Sequence, residues 1–166
     1  MKKILKKQHI LGGPLLDSVT VTLPSNTNFT NYPFSLNMIK NLHRIDFPSQ
    51  VTFFVGENGT GKSTVLEAIA YKSGFGSEGG NRHMQFASTN ATIDLGIEKL
   101  SEHMKFSWRM SPLYGYFFKA ESFFNIASYI DSIGSNKFYG MEGKSMHAQS
   151  HGETFLSVFK NALGEG

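Results

Sequence analysis

The clearest chemical potential in the chain lies at residues 56–63, which have the sequence GENGTGKS and fit the pattern G-x-x-x-x-G-K-[ST]. Glycines at this spacing let several main-chain N–H groups converge on one anion, and a lysine and a hydroxyl follow directly. A dense polyphosphate requires this set of donors. Chance alone would give about 0.02 matches in a chain of this composition. The stretch therefore predicts a phosphate-binding loop.

Each residue type in this loop has an expected role. We expect Lys62 to bridge the β- and γ-phosphates, Ser63 to ligate Mg²⁺ and Thr64 to reach the α-phosphate. Charge-assisted hydrogen bonds contribute about 1.5–3 kcal/mol each, so several can supply the roughly 8 kcal/mol of a micromolar complex. A glycine-rich turn without a ligand is the alternative. The main-chain donors are expected from Gly56, Glu57, Asn58, Gly59, Thr60 and Gly61.

The segments on either side are those that would position such a loop. Residues 51–55 (VTFFV) form a short apolar run, which is typical of a strand buried on both faces in a parallel sheet. Residues 62–71 have the apolar pattern of a helix. Together they predict a strand–loop–helix unit, the context in which this motif binds phosphate.

The remaining segments give a mixed α/β pattern. Residues 36–47 are ambiguous, and we favour a strand that ends at Pro48. Apolar residues at helical spacing predict helices at 121–133 and 150–163. Further strands are predicted at 18–23, 92–97, 103–108 and 114–118, and loops at 24–33, 74–90 and 134–149.

Composition narrows the class of protein. The chain has 166 residues, of which 40% are hydrophobic and 17% charged, so it resembles a folded domain rather than a disordered chain. A formal charge of +3 is too small to indicate nucleic acid by itself. No apolar run approaches the roughly 20 residues of a membrane span, and the absence of Cys excludes disulfides and thiolate sites. The stretch after the N-terminal lysines is too broken for a signal peptide, so we expect a cytoplasmic protein.

Residues 42–70 resemble the start of an ABC-type ATPase head. More closely, they resemble small bacterial ATPases grouped with the AAA-family proteins that carry SMC-like heads, in which G-E-N-G-x-G-K-S-T is typical. The segments 74–83, 117–131 and 150–159 match in the same order. The resemblance implies an α/β P-loop NTPase fold with a mainly parallel core sheet, a β-rich N-terminal part and a helical arm.

The same resemblance implies ATP and Mg²⁺ as cofactors and a head-to-head homodimer of the full-length protein. Each nucleotide would lie between one P-loop and the signature motif of the other head. Ser150, Gly152 and Glu153 would then contact the γ-phosphate bound to another subunit, although Ser-x-x-Glu is also an ordinary capping box. Glu121 stands at the Q-loop position and could ligate Mg²⁺. Alternatively, Glu121 lies in the first turn of a helix, where its negative charge interacts favourably with the helix dipole.

The Walker B strand of this family, an apolar run that ends in Asp-Glu, is not found in residues 1–166. We therefore predict one C-terminally incomplete ATPase domain that binds nucleotide more readily than it hydrolyses it, with exposed apolar sheet edges. Hydrolysis is expected of the full-length, dimerised form. The predicted parts are an N-terminal β part (1–50), the Walker A unit (51–73), a loop and helical arm (74–149) and a signature helix (150–163).

Two other function classes remain open. One is a non-hydrolysing interaction module that nucleotide regulates, with DNA or another protein as an open partner. The other is a small-molecule kinase, which needs a lid rich in arginine, and the chain has only Arg44, Arg82 and Arg109.

Several other residues have both a functional and a structural interpretation. Tyr32 or Phe34 could stack on adenine, but core packing is the commoner use of an aromatic residue. Arg82 and His83 could approach phosphate or lie in a solvated loop. His147 and His151 are four residues apart, but their glycine-rich surroundings disfavour a helical metal site. The following aromatic residues could form core or a partner surface: Tyr114, Tyr116, Phe117, Phe118, Phe123 and Phe124.

Overall fold

The structure, a computed structural model, describes residues 13–82, 91–112 and 114–119. Its described strands form two antiparallel sheets, so the predicted parallel core sheet is wrong for this part of the chain. The elements follow in the order β1 (Leu16–Val21), α1 (Asn37–Lys40), β2 (Arg44–Asp46), α2 (Lys62–Lys72), β3 (Gly80–Asn81), α3 (Ala91–Glu102), β4 (Met104–Trp108) and β5 (Tyr116–Phe117).

Strand β1 is the centre of a three-stranded sheet with the order β2-β1-β4. Val19 lies opposite Ile45 of β2 and opposite Phe106 of β4. The register shifts between Leu16 and Ser18, where the pairing of β1 with β4 is irregular. The β-branched, alternating sequence predicted this strand correctly, because a central strand can bury one apolar face and hydrogen-bond on both edges.

Side chains of strands β1 and β4 share one buried cluster with side chains of helices α2 and α3. The helices also contact each other, so the core lies between one sheet layer and a pair of helices. Val65 and Ala68 of α2 and Ile97 and Leu100 of α3 are buried in this layer. The core cluster is completed by Val19, Val21, Ile39 and Met104.

Residues 51–55 do not form the predicted strand. Val51, Phe53 and Val55 are exposed, the last two at 82% and 87%, while Phe54 between them packs against the core cluster. Among the described residues, no strand pairs with this segment. An apolar run becomes a doubly buried strand only where neighbouring strands pair with it, and composition alone cannot supply those neighbours.

The strand predicted at 92–97 is also wrong, because the segment lies in helix α3. The residues at 96, 97, 100 and 101 are buried, which is the spacing of a helix face rather than the alternation of a strand. The ambiguous stretch 36–47 divides into α1 and β2. The helix over 62–71 and the strands over 18–23 and 103–108 are confirmed within a few residues.

A smaller unit follows the C-terminal end of α2. Strands β3 and β5 pair in a two-residue ladder, within the predicted loop 74–90 and the predicted strand 114–118. Lys119, just after β5, lies 3.5 Å from Glu67 of α2, so this unit is tied to the helix. None of the helices in the three described ranges combines the length and the apolarity that a membrane crossing requires.

Candidate functional site

The glycine-rich loop at residues 56–61 leads directly into helix α2. Gly59 and Gly61 have φ values of 78° and 106°, and Gly61 is the N-cap of the helix. A Cβ at Gly61 would lie 3.3 Å from Cδ1 of Leu36, so a side chain there would meet both backbone strain and a close neighbour. The glycine at this position is therefore required by the turn that begins the helix.

The N-terminus of α2 presents main-chain donors to the loop. The N–H of Val65 donates to the carbonyl of Gly61 at 3.0 Å, which leaves the preceding N–H groups of the first turn without an acceptor inside the helix. No side chain of the described residues caps this end. The free N–H groups and the partial positive charge of the helix dipole favour an anion here.

Lys62 lies across the loop rather than away from it. Its ammonium donates to the carbonyl of Glu57 and is 3.5 Å from Oγ1 of Thr60. The Thr60 hydroxyl donates to the same Glu57 carbonyl at 2.9 Å. The Lys62 ammonium thus closes the loop by binding the Glu57 carbonyl, in the segment that leads into the N-terminus of α2.

The two hydroxyl residues after Lys62 lie in different surroundings. Ser63 is exposed, whereas Thr64 is 7% exposed. The Thr64 Oγ1 atom is 3.3 Å from the hydroxyl of Tyr32, so these groups share a hydrogen bond. Of the two candidate aromatic residues, Tyr32 therefore contacts the helix that begins at the loop.

Phe34, the other candidate aromatic residue, has a different environment. It packs against the core cluster, and its ring centroid is 6.1 Å from that of His103. Phe34 therefore has the core-packing role that was the alternative to stacking on adenine. Tyr32, by contrast, remains partly exposed to solvent.

The three arginines all engage other parts of the described chain. Arg44 pairs with Asp46 at 2.7 Å, and Arg109 pairs with Asp17 at 3.0 Å. Arg82 donates to the carbonyl of Pro112 at 3.0 Å and lies over a phenylalanine ring at 5.5 Å. Arg82 lies beside the turn that follows the C-terminal end of α2, which is the end away from the loop. These positions do not resemble an arginine lid over the loop.

Several predicted site residues lie outside the described residues. They are His83, Glu121, His147, Ser150, His151, Gly152 and Glu153. Within the part that the structure describes, no group of three or more His, Asp or Glu side chains is arranged to hold a metal ion.

Sequence reasoning missed two residues that shape the site. Leu36 packs beside Gly61, and Gly96 of α3 lies against the ring of Tyr32. The signal for Gly96 was present, because a glycine inside a helical pattern often marks a close packing contact. The prediction of a strand over residues 92–97 hides this signal.

Comparison with known families matches an AAA domain to residues 27–133, which is more than half of the chain. The chain belongs to the AAA domain family. The matched region contains Tyr32, the loop and helices α2 and α3. Membership of this family is consistent with ATP binding and with a P-loop NTPase fold. Searches of curated proteins and of solved structures gave no match.

Proposed function

We propose that this AAA domain binds ATP together with Mg²⁺ at residues 56–64. The main-chain N–H groups of the loop and the first turn of α2 bind the phosphates. Lys62 exchanges the Glu57 carbonyl for the β- and γ-phosphates, Ser63 ligates Mg²⁺ and Thr64 reaches the α-phosphate.

One observation carries the proposal. The left-handed N-cap at Gly61, the uncapped first turn of α2 and the Lys62 ammonium all occur at one loop. Each is an ordinary feature alone. Together they give one short segment main-chain donors and a cation, and a polyphosphate is a ligand with enough negative charge to engage them all.

The test is calorimetric titration of the 166-residue protein with Mg·ATP. We expect the wild-type protein to bind and Lys62→Ala to show no measurable binding, because the variant loses the charge-assisted contacts of the ammonium. Lys72→Ala is the matched control, since Lys72 is at the other end of the same helix. It should bind as the wild type does. Unchanged affinity in Lys62→Ala would show that the site is wrongly assigned.

Hydrolysis is a separate part of the proposal and belongs to a paired, longer form. There, Ser150, Gly152 and Glu153 of a second copy contact the γ-phosphate, and Glu121 stands near Mg²⁺. The support is the ordered resemblance to paired ATPase heads, together with the absence of an apolar run ending in Asp-Glu from residues 1–166.

A phosphate-release assay separates hydrolysis from binding. The 166-residue chain should release phosphate no faster than its Lys62→Ala variant, while a longer chain with such a strand should release it in a Lys62-dependent way. If neither chain releases phosphate although both bind ATP, the protein is a nucleotide-regulated interaction module. Turnover by the short chain would overturn the claim that hydrolysis needs the longer form.

A further inference from the structure

The hydrogen bond between Tyr32 and Thr64 joins residues that are 32 positions apart in the chain. Thr64 is almost fully buried in the first turn of α2, while Tyr32 keeps part of its surface in solvent. A buried hydroxyl has few available partners, so the Tyr32 hydroxyl is a principal determinant of how the Thr64 hydroxyl is oriented.

The ring of Tyr32 is itself held in place by helix α3. An added Cβ at Gly96 would lie 2.9 Å from Cδ1 and 3.0 Å from Cε1 of Tyr32, and 3.1 Å from Cδ of the buried Pro33. The absence of a side chain at Gly96 thus lets the helix backbone press directly on the ring. Packing of the ring therefore fixes the position of the Tyr32 hydroxyl in the ligand-free protein.

We propose that Tyr32 is a positioning residue of the nucleotide site and acts through Thr64. This inference rests on the proposed function. A phosphate oxygen only accepts hydrogen bonds at neutral pH, so Thr64 must donate its single proton to bind one. Tyr32 therefore donates to Thr64 Oγ1, which leaves the Thr64 proton for the α-phosphate. The two bonds in series strengthen each other.

The main test is Tyr32→Phe, which keeps the ring and its contact with Gly96 but removes the hydroxyl. We expect the affinity for Mg·ATP, measured by calorimetry, to fall about fivefold, as for the loss of one hydrogen bond. Tyr114→Phe is the matched control, because Tyr114 is an exposed tyrosine. Its affinity should equal that of the wild type.

A double-mutant cycle shows whether Tyr32 acts through Thr64. In a Thr64→Val background, which lacks the hydroxyl, Tyr32→Phe should change the affinity by less than about 1.5-fold. In a Thr64→Ser background, which restores a hydroxyl, the fivefold effect should return. A role of the ring in packing alone would give no effect of Tyr32→Phe in any background, since this substitution keeps the ring.

The outcomes distinguish this inference from the proposed function. If the wild-type protein does not bind Mg·ATP, the proposed function fails and the role of Tyr32 fails with it. If the wild type binds and Tyr32→Phe binds equally well, only the role of Tyr32 is overturned. A Tyr32→Phe effect that persists undiminished beside Thr64→Val would also overturn it, because Tyr32 would then act by another route.

Discussion

Strand β1 and the segment 51–55 are similar in length and both rich in β-branched residues, yet they differ in burial and in strand pairing. In β1, Val19 and Val21 are buried, whereas Val51, Phe53 and Val55 are exposed. Strand β1 has a paired strand on each edge, while no described strand pairs with 51–55. Burial of an apolar stretch therefore depends on the partners that the fold supplies as much as on its own hydrophobicity.

The segment 51–55 is nevertheless attached to the domain at one point. The Phe54 side chain packs on the core cluster, while its neighbours Phe53 and Val55 point away from it. Among the described residues, the one hydrogen bond to this segment comes from Ser49 Oγ to the carbonyl of Val51, at 2.7 Å. Within the described part of the chain, the segment thus resembles an unpaired sheet edge.

The largest effect on stability is expected for a substitution in the buried core. Leu100→Ala removes most of a fully buried side chain between α3 and the sheet. We expect the free energy of unfolding to fall by about 2–5 kcal/mol, because a cavity is left in the core. Chemical denaturation measures this. A loss below about 1 kcal/mol would show that the contact between the helices and the sheet is not a packed core.

A smaller but more diagnostic effect is expected at Gly96. Alanine is the better helix former by about 1 kcal/mol, so Gly96→Ala would stabilise a helix whose surface is free. Here its Cβ would meet the Tyr32 ring at 2.9 Å, and we expect a net loss of about 1–3 kcal/mol from overpacking. Thermal or chemical denaturation decides the sign. A gain in stability would contradict the packing of α3 on Tyr32.

The contrast between buried and exposed groups also applies to two ion pairs. The side chains of Lys119 and Glu67 are 20% and 17% exposed, whereas those of Arg44 and Asp46 are 56% and 64% exposed. We expect Lys119→Met to lower the free energy of unfolding by about 1 kcal/mol and Arg44→Met to change it by less than about 0.5 kcal/mol, since water screens the exposed pair. Denaturation of both variants at low ionic strength measures the difference. Equal losses would contradict the contrast in burial.

The smallest effect is expected in the segment 51–55. Phe53→Ala removes an aromatic side chain that is mostly exposed, so we expect a change of less than about 0.5 kcal/mol in the free energy of unfolding. The same denaturation experiment as for Leu100→Ala gives a direct contrast between the two regions. A loss of more than about 2 kcal/mol would show that Phe53 is buried in solution by a partner.

The sequence predicted the loop and its helix because both depend on local features. Glycine spacing sets the turn at 56–61, and the pattern of Val65 and Ala68 sets the buried face of α2. Strands β1 and β4 were also predictable, because each has β-branched or aromatic residues in alternation. In these places, local propensity and tertiary contacts favour the same structure.

The errors arose where distant residues decide the structure. Residues 92–97 read as a strand when taken alone, but Leu100 and Ser101 complete a helical face beyond them. Residues 51–55 have the composition of a buried strand, but pairing depends on strands elsewhere in the chain. The bond between Tyr32 and Thr64 spans two elements, and no local pattern indicates it.

The hydrogen bond from Lys62 to the Glu57 carbonyl closes the loop, and a ligand that binds the Lys62 ammonium has to break this bond. On the proposed function, the ammonium trades a main-chain acceptor for phosphate oxygens on binding and returns to it on release. Because one acceptor replaces another, the net gain on binding is smaller than the full strength of a charge-assisted hydrogen bond. This intramolecular hydrogen bond thereby lowers the net affinity of the loop for the nucleotide.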